Sequence, residues 1–392
     1  MDILKQAQAL QDKLVSWRRD LHQHPELGFE EEHTAAVVAA ELRRLGFRVQ
    51  TGVGRTGVVA ELGEHGPLIG IRADMDALPI QEENDAPYRS QHPGKMHACG
   101  HDAHVAMALG AANLLAESHG SLNGRIRFLF QPSEETNDSE GKSGAYRMIQ
   151  EGAMEGVSAI FAQHVESDLP AGQIEIVAGP ASAFEDTFYA TIEGRGSHGA
   201  FPHQGLDPIY LANHVIDALY HIVPRRLDPT QAAVISVGTI RAGTAPNVIP
   251  DTVAISGTLR SQDPDVRAQL LVELDRALAL TRALGGDYDL SVEPGYPAML
   301  NDVGLAQVVR EVATEFVGAD KVHTGHAQLG AEDFALFAER APGMMFFLGV
   351  GDGISNRRAH SSTFDIDESA LPLGTAILVA SLQRMFAVQN VG

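Results

Sequence analysis

The chain has 392 residues, 44% of them hydrophobic, enough to bury a large core and more typical of two domains than of one. Lys and Arg total 29 against 51 for Asp and Glu, and the resulting net charge of −22 argues against nucleic acid and anionic membrane surfaces as partners. Cys99 is the only cysteine, which excludes an intrachain disulfide, and no apolar signal core follows Met1, so the expectation is a protein of the reducing cytoplasm.

Leu10, Leu14, Trp17 and Leu21 share one face of a first helix, and Ala36, Val37, Ala40 and Leu45 mark a second that stops at Gly46. Val58–Leu62 and Leu68–Ile71 read as strands, the latter running into the turn Asp74-Met75-Asp76. A helix over about Ala103–Glu117, an apolar strand Ile126–Phe130, a helix near Gly144–Glu151 and a strand ending before His164 continue the alternation of an α/β fold. From Phe184 the order changes to strand Phe184–Glu193, helix Leu206–Val223, strands Ala232–Arg241 and Asp251–Arg260, helix Val266–Leu284 and strand Tyr288–Glu293. That βαββαβ order is the unit of a ferredoxin-like module able to sit as an insertion. After it come helices near Val303–Val317 and Glu332–Arg340, a strand Met344–Leu348 and a last helix Ser369–Phe386. The expected architecture is a catalytic α/β domain, mixed sheet flanked by helices, over 1–183 and 296–392, with the inserted module over 184–295.

The densest chemical cluster is His97-Ala98-Cys99-Gly100-His101-Asp102-Ala103-His104, with a thiol, three imidazoles and a carboxylate within eight residues. Its spacing matches no zinc finger, and a buried cysteine flanked by surface histidines is the competing reading. Gln131-Pro132-Ser133-Glu134-Glu135 follows an apolar strand directly, at the sheet edge where ligands usually bind. One of two adjacent glutamates can bind a cation while the other moves a proton, a division that suits hydrolysis; a solvated acidic loop is the alternative. His164, at a strand end, and His360, in a loop before the last helix, are weak alone. In an open α/β sheet, however, strand ends converge on one rim, so Asp74, Cys99, His101, Glu135 and His164 are expected to meet there. In the inserted module, His198, Asn247 and Arg260 offer an imidazole, an amide and a guanidinium for a substrate's carbonyl and carboxylate, against the plainer reading of turn and surface residues.

Taken together, Asp20–Leu27, Arg72–Pro79, Met96–Asp102, Gln131–Glu135, His164-Val165, Ser197–His203, Glu332-Asp333-Phe334 and His360 with Phe364-Asp365 resemble the hippurate hydrolase and indole-acetyl-amino-acid hydrolase family. Its clan of metal-dependent enzymes includes aminoacylases, glutamate carboxypeptidases and succinyl-diaminopimelate desuccinylase. The resemblance spans nearly the whole chain. It implies two divalent ions per subunit (Zn, Mn, Co or Ni) on Cys99, His101, Glu135, His164 and His360, with Glu134 as general base. Asp74 and Asp76 stand where related enzymes keep a metal histidine and its orienting aspartate, and are expected to support the ligands from behind. His198 resembles an oxyanion-side histidine that related dimers supply across the subunit interface, and Asn247 and Arg260 resemble contacts to a substrate carboxylate.

The resemblance departs at Thr136–Lys142, a polar insertion after the paired glutamates, and at Glu166–Pro170, where another residue pattern is commoner. The expected activity is hydrolysis of an N-acyl-amino acid to an acid and an amino acid by a homodimer. Alternatives are a dipeptidase, carboxypeptidase or N-acetyl-diaminopimelate deacetylase of the same clan, and, from another class, a non-catalytic metal- or ligand-binding module.

Overall fold

The computed structural model describes residues 2–118, 123–354 and 357–388. The chain forms two compact units, one of Met1–Gly179, Leu300–His326 and Asp333–Gly392, the other of Pro180–Met299 and Ala327–Glu332.

The first unit is built on an eight-stranded mixed sheet, in the order Arg48–Val53, Gly57–Leu62, Arg125–Gln131, Leu68–Asp74, Val157–Pro170, Gly343–Gly351, Ile174–Ile176 and Val322–Thr324. The four strands from Arg125–Gln131 to Gly343–Gly351 run parallel. Parallel strands need both faces covered, and Leu68–Asp74 is accordingly buried at every position. Their shared direction brings the carboxyl ends to one rim, with Asp74 paired in register with Gln131.

Helix His101–Ser118 is buried continuously from His101 to Leu115, so it lies inside the unit rather than on its surface. The last helix, Leu371–Val388, packs on it and on helices Ile3–Ala9 and Val303–Val317. The stretch Glu368–Ala387 is long and apolar enough to cross a membrane, but 72% of its apolar window is buried in this packing, which accounts for its composition as that of a core helix.

Several elements differ from expectation for identifiable reasons. The first helix breaks at Leu10 into Ile3–Ala9 and Gln11–Gln23. Strand Arg48–Val53 buries only Val53 and so lacks the alternation that would reveal it. His164 lies inside a strand that continues to Pro170 rather than at its end. The helix expected over Glu332–Arg340 contracts to Phe334–Ala338.

The second unit carries a four-stranded antiparallel sheet in the order Ala233–Ala242, Thr252–Ser261, Phe184–Glu193 and Asp287–Pro294. Helices Pro208–Arg226 and Pro264–Leu278 each begin with proline after an aspartate whose carboxylate accepts from the first turn, Asp207 from Ile209 N and Asp263 from Asp265 N and Val266 N. Phe188, Ile192, Leu211, Val215, Val253, Leu270 and Leu274 form a core separate from that of the first unit.

Candidate metal centre

Five segments of the first unit deliver the cluster. Glu134 and Glu135 follow the end of strand Arg125–Gln131, and Asp76 follows the end of Leu68–Asp74. His164 projects from Val157–Pro170, Cys99 and His101 flank the start of helix His101–Ser118, and His360 lies in the loop after Gly343–Gly351. Gly100, between Cys99 and His101, has φ +89°, and a Cβ there would run into the Val165 side chain, so only glycine lets both neighbours face the rim. Ser133, just before the paired glutamates, is also left-handed at φ 45°. Its backbone N–H is held by Glu31 Oε1 at 2.8 Å, and its hydroxyl donates to Thr136 O at 2.8 Å. The His360 N–H donates to Ala98 O at 2.7 Å, which ties its loop to the one carrying Cys99.

Donor atoms of Cys99, His101 and His164 lie within 4.8 Å of one another, as do those of Cys99, Glu135 and His360, and of His101, Glu134 and Glu135. Cys99 Sγ is 3.4 Å from His164 Nε2, and His360 Nε2 is 3.1 Å from Glu135 Oε1. The imidazoles are oriented from behind. His164 Nδ1 donates to Val165 O at 2.7 Å and His101 Nδ1 lies 3.2 Å from Asp76 Oδ1, so each presents Nε2 to the centre. Asp76 also accepts from Glu135 N through its other oxygen, at 3.0 Å.

Asp74 performs a different task. His104 Nε2 accepts from Val165 N at 2.9 Å, so its Nδ1 carries the proton and donates to Asp74 Oδ1 at 2.6 Å. Burial holds His104 neutral, lowering it to about 4. Arg72 Nη1 donates to the other Asp74 oxygen at 2.6 Å, while Gln131 and Arg72 both donate to Asp333. Asp74, foremost through Arg72, stays well below the ordinary carboxylate range despite burial.

The residues fit divalent ions. His101 Nε2 and Glu135 Oε1 are buried and face only other donor atoms of the cluster, 4.0 Å from each other and with His360 Nε2 3.1 Å from Glu135 Oε1, a crowding of ligand-type atoms that is costly unless a cation sits among them. Burial opposes ionisation of the Cys99 thiol, yet His164, with hydrogen bonds from His101 and His360, brings it down to about 6. Hydrogen bonds to Cys99 and Glu135 raise His360 to about 10, and Asp74 and Asp76 raise His101 well above the histidine range against the effect of burial. The thiolate and carboxylates on one side and the imidazoles on the other thus stabilise each other's charged forms, and the mixed sulfur, nitrogen and oxygen donors suit borderline metals.

The other sequence candidates belong to the second unit. His198 and Asn247 are neighbours: Ser197–His198 pairs with Val248–Ile249, and Gly199 N donates to Asn247 O at 2.8 Å. His198 is exposed and its Nδ1 accepts from Ala200 N at 3.0 Å, which leaves Nε2–H as an outward donor. Arg260 does not join them. It pairs with Glu185 at 3.0 Å near one end of strand Thr252–Ser261, whereas the His198 ribbon lies beside Asp251 at the other, roughly 30 Å away at ~3.3 Å per residue. All three lie on the second unit, but within one copy of the chain Arg260 stands apart from His198 and Asn247.

His104, Arg72, Gln131 and Asp333 stood inside segments singled out in the sequence, but no role in this construction was assigned to them. For His104 the helical spacing was the readable signal, as it lies one turn from His101 on the same face.

Residues 70–384 match peptidase family M20/M25/M40. The chain is 40% identical to the N-acetyl-L-cysteine deacetylase of Bacillus subtilis over 96% of its own length and 89% of the relative's. It is 38% identical to the IAA-amino acid hydrolase ILR1-like 4 of Arabidopsis thaliana, over 95% and 86%. Among solved structures, the YXEP protein of Bacillus subtilis, a dinuclear metal-binding peptidase of the M20 family, superposes with a TM-score of 0.84 at 34% identity, covering 97% of this chain and 99% of that one. Sequence, fold and the donor cluster thus agree, and the chain belongs to the M20 peptidase family, as a metal-dependent amidohydrolase.

Proposed function

We propose that the protein hydrolyses the amide bond of N-acyl-amino acids, using two divalent ions held by Cys99, His101, Glu135, His164 and His360. The carrying observation is the placement of Glu134: its carboxylate lies within 4.8 Å of donor atoms of both His101 and Glu135, at the centre rather than in its outer support. Bound there, two ions of the zinc, manganese, cobalt or nickel class would supply Lewis acidity and make water acidic enough to deprotonate near neutral pH. Glu134 takes the proton from the attacking water and returns it to the leaving amine nitrogen, which must be protonated to depart. Asp76 and the Val165 carbonyl keep the His101 and His164 rings turned inward while this happens. His198 donates from Nε2 to the oxyanion, and Asn247 and Arg260 hold the substrate's carboxylate.

The working form in this reading is a homodimer in the cytoplasm. With Arg260 and the His198 ribbon at opposite ends of one strand, a substrate of amino-acid size is met by both only when they come from two copies. The long, largely exposed edge strand Ala233–Ala242 and the exposed Tyr210, Tyr220 and Ile240 give a second copy a surface to cover.

The test is a screen of metal-reconstituted protein against hippurate, N-acetyl-amino acids, indole-acetyl conjugates and dipeptides, with metal content measured alongside. Turnover of N-acyl-amino acids above dipeptides supports the assignment. Preference for dipeptides moves it to the peptidase branch, and no turnover at full metal occupancy overturns it.

A further inference from the structure

A second group of metal-ligating side chains lies outside the centre and takes no part in the proposed reaction. Asp20 and His24 are one turn apart at the end of helix Gln11–Gln23, and His33 stands in the first turn of helix Glu32–Arg44. A carboxylate oxygen of Asp20 and one ring nitrogen from each histidine lie within 4.8 Å of one another. His33 Nε2 is 3.1 Å from Asp20 Oδ2, His24 Nδ1 is 3.5 Å from Asp20 Oδ1, and the two rings are 4.8 Å apart between centroids. The His33 Nε2–Asp20 Oδ2 spacing is close to the roughly 3.3 Å that two ligand bonds of about 2.0–2.1 Å at tetrahedral angles require.

The backbone fixes the arrangement. His24 Nδ1 donates to Asp20 O at 2.8 Å, which sets the tautomer and leaves Nε2 with a lone pair. Glu26 accepts from His33 N and Thr34 N at 2.8 and 3.0 Å, so the carboxylate that caps the second helix also seats His33 against the end of the first. Gln91 N donates to Gln23 O at 2.9 Å and brings a further imidazole, His92, to 6.0 Å from the His24 ring.

We propose that Asp20, His24 and His33 form an auxiliary divalent-metal site of the zinc, cobalt and nickel class, an open two-imidazole, one-carboxylate set on the surface of the first unit. Side chains 33–42% exposed leave room for water at the remaining coordination positions. An ion there clips the end of one helix to the start of the next, and because it binds the folded chain it raises the melting temperature with metal concentration.

The proposal is tested by titrating the metal-free full chain with Zn²⁺ and counting bound ions by equilibrium dialysis, for wild type, the double variant His24→Ala/His33→Ala, and Asp20→Asn. The expected result is one ion fewer per chain in the double variant and weaker binding of that ion in Asp20→Asn, with melting temperatures in chelator and hydrolytic activity of both variants matching wild type. Equal stoichiometry in wild type and double variant overturns the site and leaves an ordinary surface ion pair. The comparison is a difference between two proteins, so it holds whatever the centre at Cys99 binds.

Discussion

Glu134 and Glu135 are consecutive, yet the left-handed turn at Ser133 presents both to one centre, where His360 approaches Glu135; in the proposed reaction Glu134 moves the proton. Glu134→Gln removes the base without changing side-chain size, so turnover should fall by about 10²–10⁴ while metal content is unchanged. A variant that keeps wild-type turnover places the base elsewhere, and one that loses its ions makes Glu134 a ligand. At Cys99 the prediction concerns pH. The thiol is pulled down to about 6, so in metal-free protein thiolate absorbance near 240 nm should rise as pH increases through about 6, where an ordinary thiol would respond near 9. Cys99→Ser should abolish the transition, and a midpoint near 9 would mean that the histidines do not surround the sulfur as described. The paired glutamates and the histidine-rich segment were visible in sequence because charged residues beside apolar strands need a reason to be there. The Asp74–Arg72–Asp333 support was not, since its members are 261 positions apart at the extreme and only the sheet joins them.

Helix Gln11–Gln23 shows how one element can set several loops. Arg18, fully buried, donates from Nε to Asp102 at 2.9 Å, from Nη2 to Asp365 at 3.0 Å and from Nη1 to Glu368 at 3.2 Å, and His22 Nδ1 donates to the same Asp102 at 2.7 Å. Asp102 follows His101, and Asp365 ends the loop that carries His360. One guanidinium therefore anchors two segments of the centre. Arg18→Met leaves these carboxylates buried without their cation, and urea denaturation should show a loss of roughly 3–5 kcal/mol. A loss below about 1 kcal/mol would mean that solvent reaches the network. Element type was legible where apolar residues run together, as at the start of Leu68–Asp74 or in the last helix. Strand Arg48–Val53 gave no pattern because only Val53 enters a core, and Ile174–Ile176, with both isoleucines buried, is too short for alternation to show. The break of the expected Val266–Leu284 helix into Pro264–Leu278 and Leu280–Ala283 is likewise silent in sequence, as alanine and leucine at the junction favour helix on either side.

For the whole molecule, the decisive prediction concerns copy number. If His198 of the partner subunit completes each site, Glu134→Gln and His198→Ala are each inactive alone, the latter by about 10²–10³. Unfolded together and refolded, they should recover about a quarter of wild-type activity, since half of randomly paired dimers are mixed and each mixed dimer has one intact site. No recovery from a verified mixed dimer would place the histidine within its own chain or outside the reaction. The separation of His198 from Arg260, which motivates the experiment, was hidden in sequence because distance along a strand becomes distance in space only once the register is known. The donors at the centre also differ in how far they are sealed: the His101 side chain is fully buried, that of Glu135 is 12% exposed and that of His360 is 54% exposed. A chelator arriving from solvent meets the His360 end first, so the two ions of the proposed centre should leave in two kinetic phases, with hydrolysis lost in the fast one and thermal stability in the slow one. Storage in chelating buffers would then yield half-loaded enzyme that looks properly folded and does nothing, and a stopped-flow trace with a single phase for both ions would show that the centre empties as one.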